Sequence, residues 1–439
     1  MIHSDYLIQE SIKESKLQNS KARRKEVRKL LDYYQGGRNN TAKYITPYFN
    51  ADAFKEVPIY TVNFTRRFIN RMSRIYTIGA DRNTNNAYKQ LTMSKPCDMK
   101  HIERMTRLVG SIANQIIWTD EGLRSKPIYF YDAYFDTDPF RPASIIYPIL
   151  LPVHDVSDAT KLKYAYWDDQ VYKQYDEDGK IEIDAQHGYG VLPFVFTHRE
   201  EQIDSHFVEG ASDIVEVNEH TNISLTELAL GLRYQMFGQA WASGLDADKP
   251  ITRAGSDVII SIPEGGSFGI EAPKGDINAT IQAIKFQVEL VAQNNHLWIH
   301  WAEQGGEMPS GISLMIKDLE RSEDYKDDLD LWAKYEEDFF RVESAIAKSN
   351  GVDTGTKFSV NFIEPEYPQT VQDQIQWNEY RLIHNLTTES KLLNEINKDL
   401  TIKESEKIII KNKEVNTANV TQEKPRSIFS RPRQATESV

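Results

Sequence analysis

The chain has 439 residues, 40 % of them hydrophobic, 27 % charged and 11 % aromatic, with a net charge of −13. That is the ordinary composition of a soluble globular protein and enough chain for two or three domains. The acidity argues against a general nucleic-acid binder, which needs a basic surface to neutralise phosphates, but not against a protein past which DNA slides.

A single cysteine, Cys97, excludes an internal disulfide and a cysteine-based metal cluster, and it fits a reducing compartment. The longest apolar run, 143–153, is interrupted by Pro148 and Pro152 and is too short to span a bilayer. No basic-then-apolar leader opens the chain, so a cytoplasmic product without a membrane partner is expected.

In chain order, 5–35 reads as a helix anchored by Leu7, Ile8, Ile12, Val27, Leu30 and Leu31 and closed by Gly36-Gly37. Residues 13–38 hold nine basic and three acidic residues, a local +6, read equally as a solvated face or a contact surface. A second helix is expected over 63–78, with Arg67, Arg71 and Arg74 on one face at i, i+4, i+7, most simply an ion-pair face. A third follows the Lys95-Pro96-Cys97 turn, over 99–118.

From 126 to 197 the pattern becomes that of strands, alternating Tyr, Phe, Ile and Val at 128–135 and 145–153. Strands 164–167 and 171–175 are joined by 168–170, and Asp176-Glu177-Asp178-Gly179 turns the chain into 180–183. These acids lack the calcium-loop spacing and read as turn chemistry. The sheet closes with Gly190-Val191-Leu192-Pro193-Phe194-Val195-Phe196.

A helix starts near Ser212 with Ile214, Val217, Thr221, Leu225, Leu228, Leu232 and Met236 three or four apart, with an interruption possible at Asn222-Ile223-Ser224. The Gly- and Pro-rich 238–275 is strand-like at 258–262 and 267–270. A helix over 276–302, about 40 Å long, then places Ile277, Ile281, Ile284, Val288 and Val291 on one stripe. Gln282, Phe286, Glu289 and Gln293 fall opposite. The break 303–311 contains Gly305, Gly306, Pro309 and the N-cap candidate Ser310. A helix over 312–348 follows, with Leu314, Leu319, Leu329, Trp332, Phe339, Val342 and Ile346 on its apolar side. Between 317 and 343 it has eleven acidic and five basic residues, a net of −6. A strand at 357–363, a helix through 386, another capped by Thr387 or Thr388, and a segment at 402–413 complete the ordered chain. The polar stretch from about Asn416 is expected to be disordered.

Enzyme chemistry is not legible. No phosphate-binding loop occurs, since Gly265-Gly266-Ser267-Phe268-Gly269 lacks the lysine and reads as a hairpin turn. His296 and His300 would share a helix face at i, i+4, but the His-Glu-x-x-His pattern is absent and a packed face is the simpler reading. There is no Gly-x-Ser-x-Gly elbow. No catalytic residue, metal site or cofactor is expected.

The order of these segments resembles that of tailed-bacteriophage portal proteins. The resemblance is carried by Tyr33-Tyr34-Gln35-Gly36, by the Gly190-x-x-Pro193 strand before Ser212-Asp213-Ile214, and by Pro309-Ser310-Gly311-Ile312-Ser313-Leu314 opening a long acidic helix. It covers residues 33–411 as a series, without a compact signature. It implies an α+β portal fold: an N-terminal wing part (1–209), a first stem helix (210–237), a β-containing clip (238–275) and a second stem helix (276–302). A tunnel loop (303–311), a wing helix and strand (312–365), a helical crown (366–415) and a tail (416–439) would follow. The family implies a homo-oligomeric ring, usually a dodecamer, at one capsid vertex of the virion, assembled in the host cytoplasm. Duplex DNA would be packaged and ejected through it, and its partners would be the large terminase, the major capsid or scaffolding protein and a head–tail adaptor. Channel-facing candidates are Glu303, Gln304, Gly305, Gly306, Glu307 and Met308 in the loop, and Gln282, Lys285, Glu289 and Gln293 on the stem. The alternatives are another ring-forming head–tail adaptor or structural virion protein, generally much smaller, and a packaging-motor enzyme, against which the missing phosphate loop counts.

Overall fold

The computed structural model describes residues 18–49, 58–149, 163–176, 178–237, 239–243, 265–271, 275–299, 319–363, 371–384, 386–397 and 400–422. It is a mixed α+β structure of two compact units, the first drawn from Met1–Glu307 and Ile316–Pro365, the second from Met308–Met315 and Glu366–Val439.

The first unit begins with α1 (Gln18–Gln35), ended by Gly36 and Gly37 at φ 71° and 93°, conformations that glycine adopts without penalty. Helix α2 (Arg38–Ile45) follows at once, and then α3 (Thr65–Met72) and α4 (Ile75–Ile78). The single helix expected over 63–78 is therefore two. Ser73 leaves helical geometry, its hydroxyl donates back to the Ile69 carbonyl, and the fully buried Glu103 accepts the N–H groups of Ile75 and Tyr76 at 2.9 and 3.0 Å. A carboxylate delivered from another helix starts α4, which no local pattern could announce. Because of this break, Arg67 and Arg71 lie on α3 while Arg74 precedes α4, so the three do not share a face.

After β1 (Ala80–Asn83) and α5 (Asn86–Leu91), α6 runs Lys95–Val109. It starts earlier than expected because Pro96 sits in its first turn, where no N–H is needed. It also ends earlier, at Gly110 (φ 90°). Ser111–Thr119 is β2, not helix: Ile112, Ala113, Ile116 and Ile117 suit either period, and the glycine decides. An added Cβ at Gly110 would meet the Val208 carbonyl oxygen at 2.1 Å, and one at Gly210 the Leu108 oxygen at 2.3 Å. The two backbones pass in contact there, with Ala211 N–H donating to Leu108.

Strands β3 (Gly122–Ile128), β4 (Asp132–Tyr134), β5 (Ser144–Ile149), β6 (Lys163–Trp167), β7 (Val171–Tyr175), β8 (Ile181–Gln186) and β9 (Phe194–His198) form two antiparallel sheets, β3-β2-β9 and β4-β5-β6-β7-β8. The run 128–135 is thus split between the sheets. In the β6–β7 turn Asp168 accepts the N–H groups of Gln170 and Val171, and in the β7–β8 turn Asp176 accepts those of Asp178 and Lys180. These are Asx turns. Next come α7 (Ser212–Phe237), the antiparallel pair β10 (Gln239–Ser243) and β11 (Ser267–Glu271), and α8 (Ile277–Asn294). Helix α7 is continuous through Asn222, and Ser267–Gly269 is strand, with only Gly265 of that run in a turn. Helix α9 (Leu319–Ser349) then crosses the core and leads to β12 (Ser359–Phe362), which pairs antiparallel with β1.

The second unit comprises α10 (Val371–Ile383), α11 (Glu389–Ile396) and α12 (Ile402–Gln422). Thr388 caps α11 by accepting the Lys391 N–H. Thr401 and Glu404 form a reciprocal capping box at the start of α12. Helix α12 continues to Gln422, so the disorder expected from Asn416 is not found as far as that residue. Among the described residues no helix is long and apolar enough to cross a membrane.

Helix α9 is held by charges in the interior. Glu336 accepts from Arg82 Nε (2.9 Å) and the Tyr76 hydroxyl (2.8 Å), and Lys95 Nζ lies 2.7 Å from Glu343 Oε2 and 3.6 Å from Glu336 Oε2. Tyr88 donates to Glu343 and accepts from Lys95. Burial alone would raise the Glu336 carboxyl, but Lys95 and Arg82 outweigh it and hold it below the usual range. Removing the lysine leaves Glu343 in the core without the cation it contacts, while Glu336 keeps Arg82. Lys95→Met is predicted to cost roughly 3–5 kcal/mol, read as a lowered urea midpoint, and a loss under 1 kcal/mol would show the network to be marginal.

Candidate functional site

The site is built on α7. Its Asn218, Asn222 and Thr226, one turn apart, bind the irregular segment 58–64. Asn218 and Asn222 donate to the Val62 carbonyl at 2.7 and 2.8 Å, and Thr226 Oγ1 accepts the Tyr60 N–H at 3.1 Å. Asn218 Oδ1 also accepts the N–H groups of Phe64 and Thr65, at 3.0 and 3.3 Å, and so caps α3. Lys29 of α1 reaches Glu219 at 2.7 Å, fixing the base of α7 from the other side. Several members of the basic N-terminal run are therefore structural: besides Lys29, Arg23 pairs with Asp132 and stacks on Phe207 at 3.5 Å, and Arg28 lies 3.4 Å from Asp32.

Helix α8 returns antiparallel to α7. The Gln235 side chain donates to the Gly275 carbonyl at one end of the pair, and Asn295 donates to Asp213 at the other. Asp276 caps α8 by accepting the Ala279 N–H at 3.0 Å. The helix is 18 residues and about 27 Å long, not the 40 Å expected. It stops in a Schellman arrangement: Leu297 N–H donates to Ala292, His296 N–H donates to Gln293, and His296 takes φ 49°. Histidine in the place usually given to glycine hid this end. His296 consequently lies beyond the helix, and its expected partner His300 is outside the described residues.

Four faces of α8 have different chemistry. Val288, Val291 and Ala292 are buried, and Ile277 and Thr280 line a groove with Leu228 and Leu232 of α7. Roughly opposite α7, at about 100° per residue, stand the exposed Gln282 and Gln293 and the half-buried Glu289. One flank carries Ala279, Ala283, Phe286 and Leu290, with Phe286 63 % and Leu290 47 % exposed. Phe286, expected on the polar face with Gln282, Glu289 and Gln293, belongs instead to this apolar flank, and the 4-3-4 spacing of these four residues is its signal in the sequence. On the other flank Ile281, Ile284 and Val288 line a cavity of about 490 Å³ with Phe64, Phe68 and Leu225. Arg67, Arg71 and Lys285 also line it, and among the described residues no acidic one does. Lys285 thus belongs to the cavity side rather than to the centre of the polar face. The loop candidates Glu303, Gln304, Gly305, Gly306, Glu307 and Met308 lie outside the described residues.

A histidine pair is buried beside the base of α7. His198 Nδ1 and the Ser111 hydroxyl are 2.9 Å apart, His206 Nε2 and the Tyr131 hydroxyl 3.1 Å, and the two imidazoles stand edge to face at 4.9 Å. Ser111 is buried and its oxygen also accepts the Val208 N–H, so the Ser–His contact is a structural bond. No protein-family model matches the chain, and no curated protein matches it.

Burial pushes His198 down to about 4, and burial together with His198 and Arg23 pushes His206 down to about 3, from an ordinary 6.5. Between those values and 6.5 the unfolded chain binds more protons than the folded one. Stability is therefore full above about pH 6.5 and falls below it, by about 2 kcal/mol per histidine at pH 5. His206→Gln should remove its share, shrinking the loss in urea-derived stability between pH 7.5 and 5 by about 2 kcal/mol. An unchanged pH dependence in that variant would place the acid sensitivity elsewhere.

Proposed function

We propose that this chain is the subunit of a portal-type ring, a DNA channel at a capsid vertex through which a phage genome is packaged and ejected. The observation that carries the reading is the antiparallel pair α7/α8, which continues into the short strand pair β10/β11 at one end and is rooted in a mixed α+β body at the other. Around it the segments follow in the order implied by the resemblance: helices, β-rich region, helix, strand pair, helix, long acidic helix, strand and helical unit. The exposed Phe286 and Leu290 on a helix that already has its α7 contact are what a subunit awaiting a neighbour would display.

In this reading α7/α8 is the stem and β10/β11 belongs to the clip. The polar face of α8, with Gln282, Glu289 and Gln293, lines the channel, and the segment 303–311 is its tunnel loop. Terminase, capsid or scaffolding protein and the head–tail adaptor are the partners such a ring serves. Duplex DNA then passes without tight binding, because amides and a carboxylate release no counterions from phosphate.

Native mass measurement and two-dimensional class averages of the purified protein should give a closed ring of about twelve copies with a central hole. Monomers and dimers alone, across concentration and salt, would overturn the reading. Binding of short duplex DNA should be weak and nearly flat with salt; a loss of several decades of affinity between low and moderate salt would contradict a non-adhesive channel.

A further inference from the structure

Between β9 and α7 the chain runs through the irregular segment 199–211, a strap with both ends fixed. At one end the Arg199 N–H donates to the Gly110 carbonyl at 2.8 Å, and at the other the Ala211 N–H donates to Leu108 at 2.9 Å. Within 200–209 the one buried side chain is that of His206, while Ile203 is 91 % exposed. The strap is thus a surface loop with neighbouring ends, plugged into the body by an imidazole. The socket is formed by the rings of Tyr131, Phe135, Phe196, Phe207 and His198, all with centroids 4.9 to 5.9 Å from that of His206.

The polar contacts of the plug fit one protonation state. Gln202 Nε2 donates both to His206 Nδ1 and to the His206 carbonyl, each at 3.1 Å. Nδ1 is therefore an acceptor, and the ring proton sits on Nε2, facing the Tyr131 hydroxyl. A second proton would go onto Nδ1, against the Gln202 amide, and turning that amide round would give up the bond to the carbonyl. The surroundings do not compensate. Helix α1 presents Arg23, whose carboxylate partner is Asp132 of β4, and β9 presents His198, itself held by Ser111 of β2. Tyr131 precedes β4, and Tyr335 of α9 meets the backbone of His198. Glu200, Glu201, Asp204 and Glu209 of the strap are exposed. The charges that bear on the ring are those of His198 and Arg23, and both oppose a further positive one.

We infer that the strap 199–211 is an acid-operated catch: on gaining a proton His206 leaves its socket, and the strap lifts between its fixed ends while the body stays folded. The inference is independent of the ring reading. Imidazole is the side chain suited to such a change near neutral pH. Outside the socket the ring regains its ordinary value of 6.5, against about 3 inside it. The catch is therefore closed above about pH 6.5 and loosens below it, and its opening constant should rise about 30-fold between pH 7.5 and 5. Lifting disturbs little else, because no other side chain of 200–209 is buried. The remaining polar hold is Ser111 Oγ, which accepts the Val208 N–H at 2.8 Å, so that amide reports whether the strap is down.

Hydrogen exchange of the full chain, corrected for the intrinsic rate at each pH, tests the catch. Protection of the Val208 amide should fall about 30-fold from pH 7.5 to 5. That opening should respond little to sub-denaturing urea, since it exposes little surface. Amides in the middle of α9 should stay far better protected at both pH values. Unchanged protection at Val208 would overturn the inference. Protection and urea dependence at Val208 equal to those in α9 would also overturn it, because acid would then be unfolding the whole body. Two variants locate the proton. Gln202→Glu sets a carboxylate opposite Nδ1 and should cancel the fall in Val208 protection. His206→Phe fills the socket with a ring that has no proton to gain, and should abolish the pH response. Should the latter not fold, Gln202→Glu decides alone. A full acid response in either folded variant would show that His206 is not the catch.

Discussion

The structure depends on how α9 is tied into the core. A helix with an acidic run cannot bury one side in apolar surroundings unless the inward carboxylates meet cations and donors. Glu336 and Glu343 meet Arg82, Lys95 and two tyrosine hydroxyls, while Asp328 pairs with Arg107. Trp332, Phe339, Val342 and Ile346 are buried between these polar anchors. Everything around the base of the paired helices refers to this helix. Tyr335 accepts the backbone N–H of His198, β1 pairs with the strand that follows α9, and α6 is attached through Lys95 and Arg107. Charge pairs in a low-dielectric interior tolerate little misplacement, so they specify where α9 lies more sharply than its apolar stripe does.

From that fixed body the chain builds a helix pair whose two members are held differently. Helix α7 is stitched to its surroundings by buried amides and a hydroxyl at i, i+4, i+8, each bonded to a backbone group of the segment 58–64. Helix α8 is tied by polar contacts at the ends of the pair and by apolar burial towards its C-terminal half. The less committed helix is also the one with apolar surface on both flanks. A surface of that kind is costly to expose singly and useful only when something covers it.

What the sequence disclosed followed from local periodicity. Helix α7, the β6–β7–β8 meander with its Asx turns, strand β12 and the Thr388 cap all follow from residue spacing and turn chemistry close to each element. The failures have a common cause, which is control from a distance. Glu103 divides α3 from α4 across the fold, and close packing of the Gly110 and Gly210 backbones ends a helix where Ile112–Ile117 could have continued one. His296 closes α8 in a left-handed conformation that composition does not advertise. At the candidate site the polar positions Gln282 and Gln293 were legible as one face. The cavity was not, because it joins α3 to α8, more than two hundred residues apart in the chain.

The same distinction separates charge in the sequence from charge at the surface. The +6 stretch around α1 turns Arg23 to Asp132 and Lys29 to Glu219, both outside it, and the −6 stretch of α9 sends Glu336 and Glu343 inward. Neither run by itself describes what an approaching polyanion would meet. Under the ring reading that is decided by the open side of α8, where two glutamines and one glutamate stand and the lysine is turned towards the cavity flank. Amide side chains form neutral hydrogen bonds to phosphate that water replaces readily, and they displace no condensed ions. A channel of this kind would avoid adhesion through the residues on one helix face, not through the net charge of −13 that the whole chain carries. Neutralising distant surface acids would then leave DNA passage unchanged, whereas a lysine at Gln282 or Gln293, repeated by symmetry around the ring, would convert a smooth wall into a binding collar.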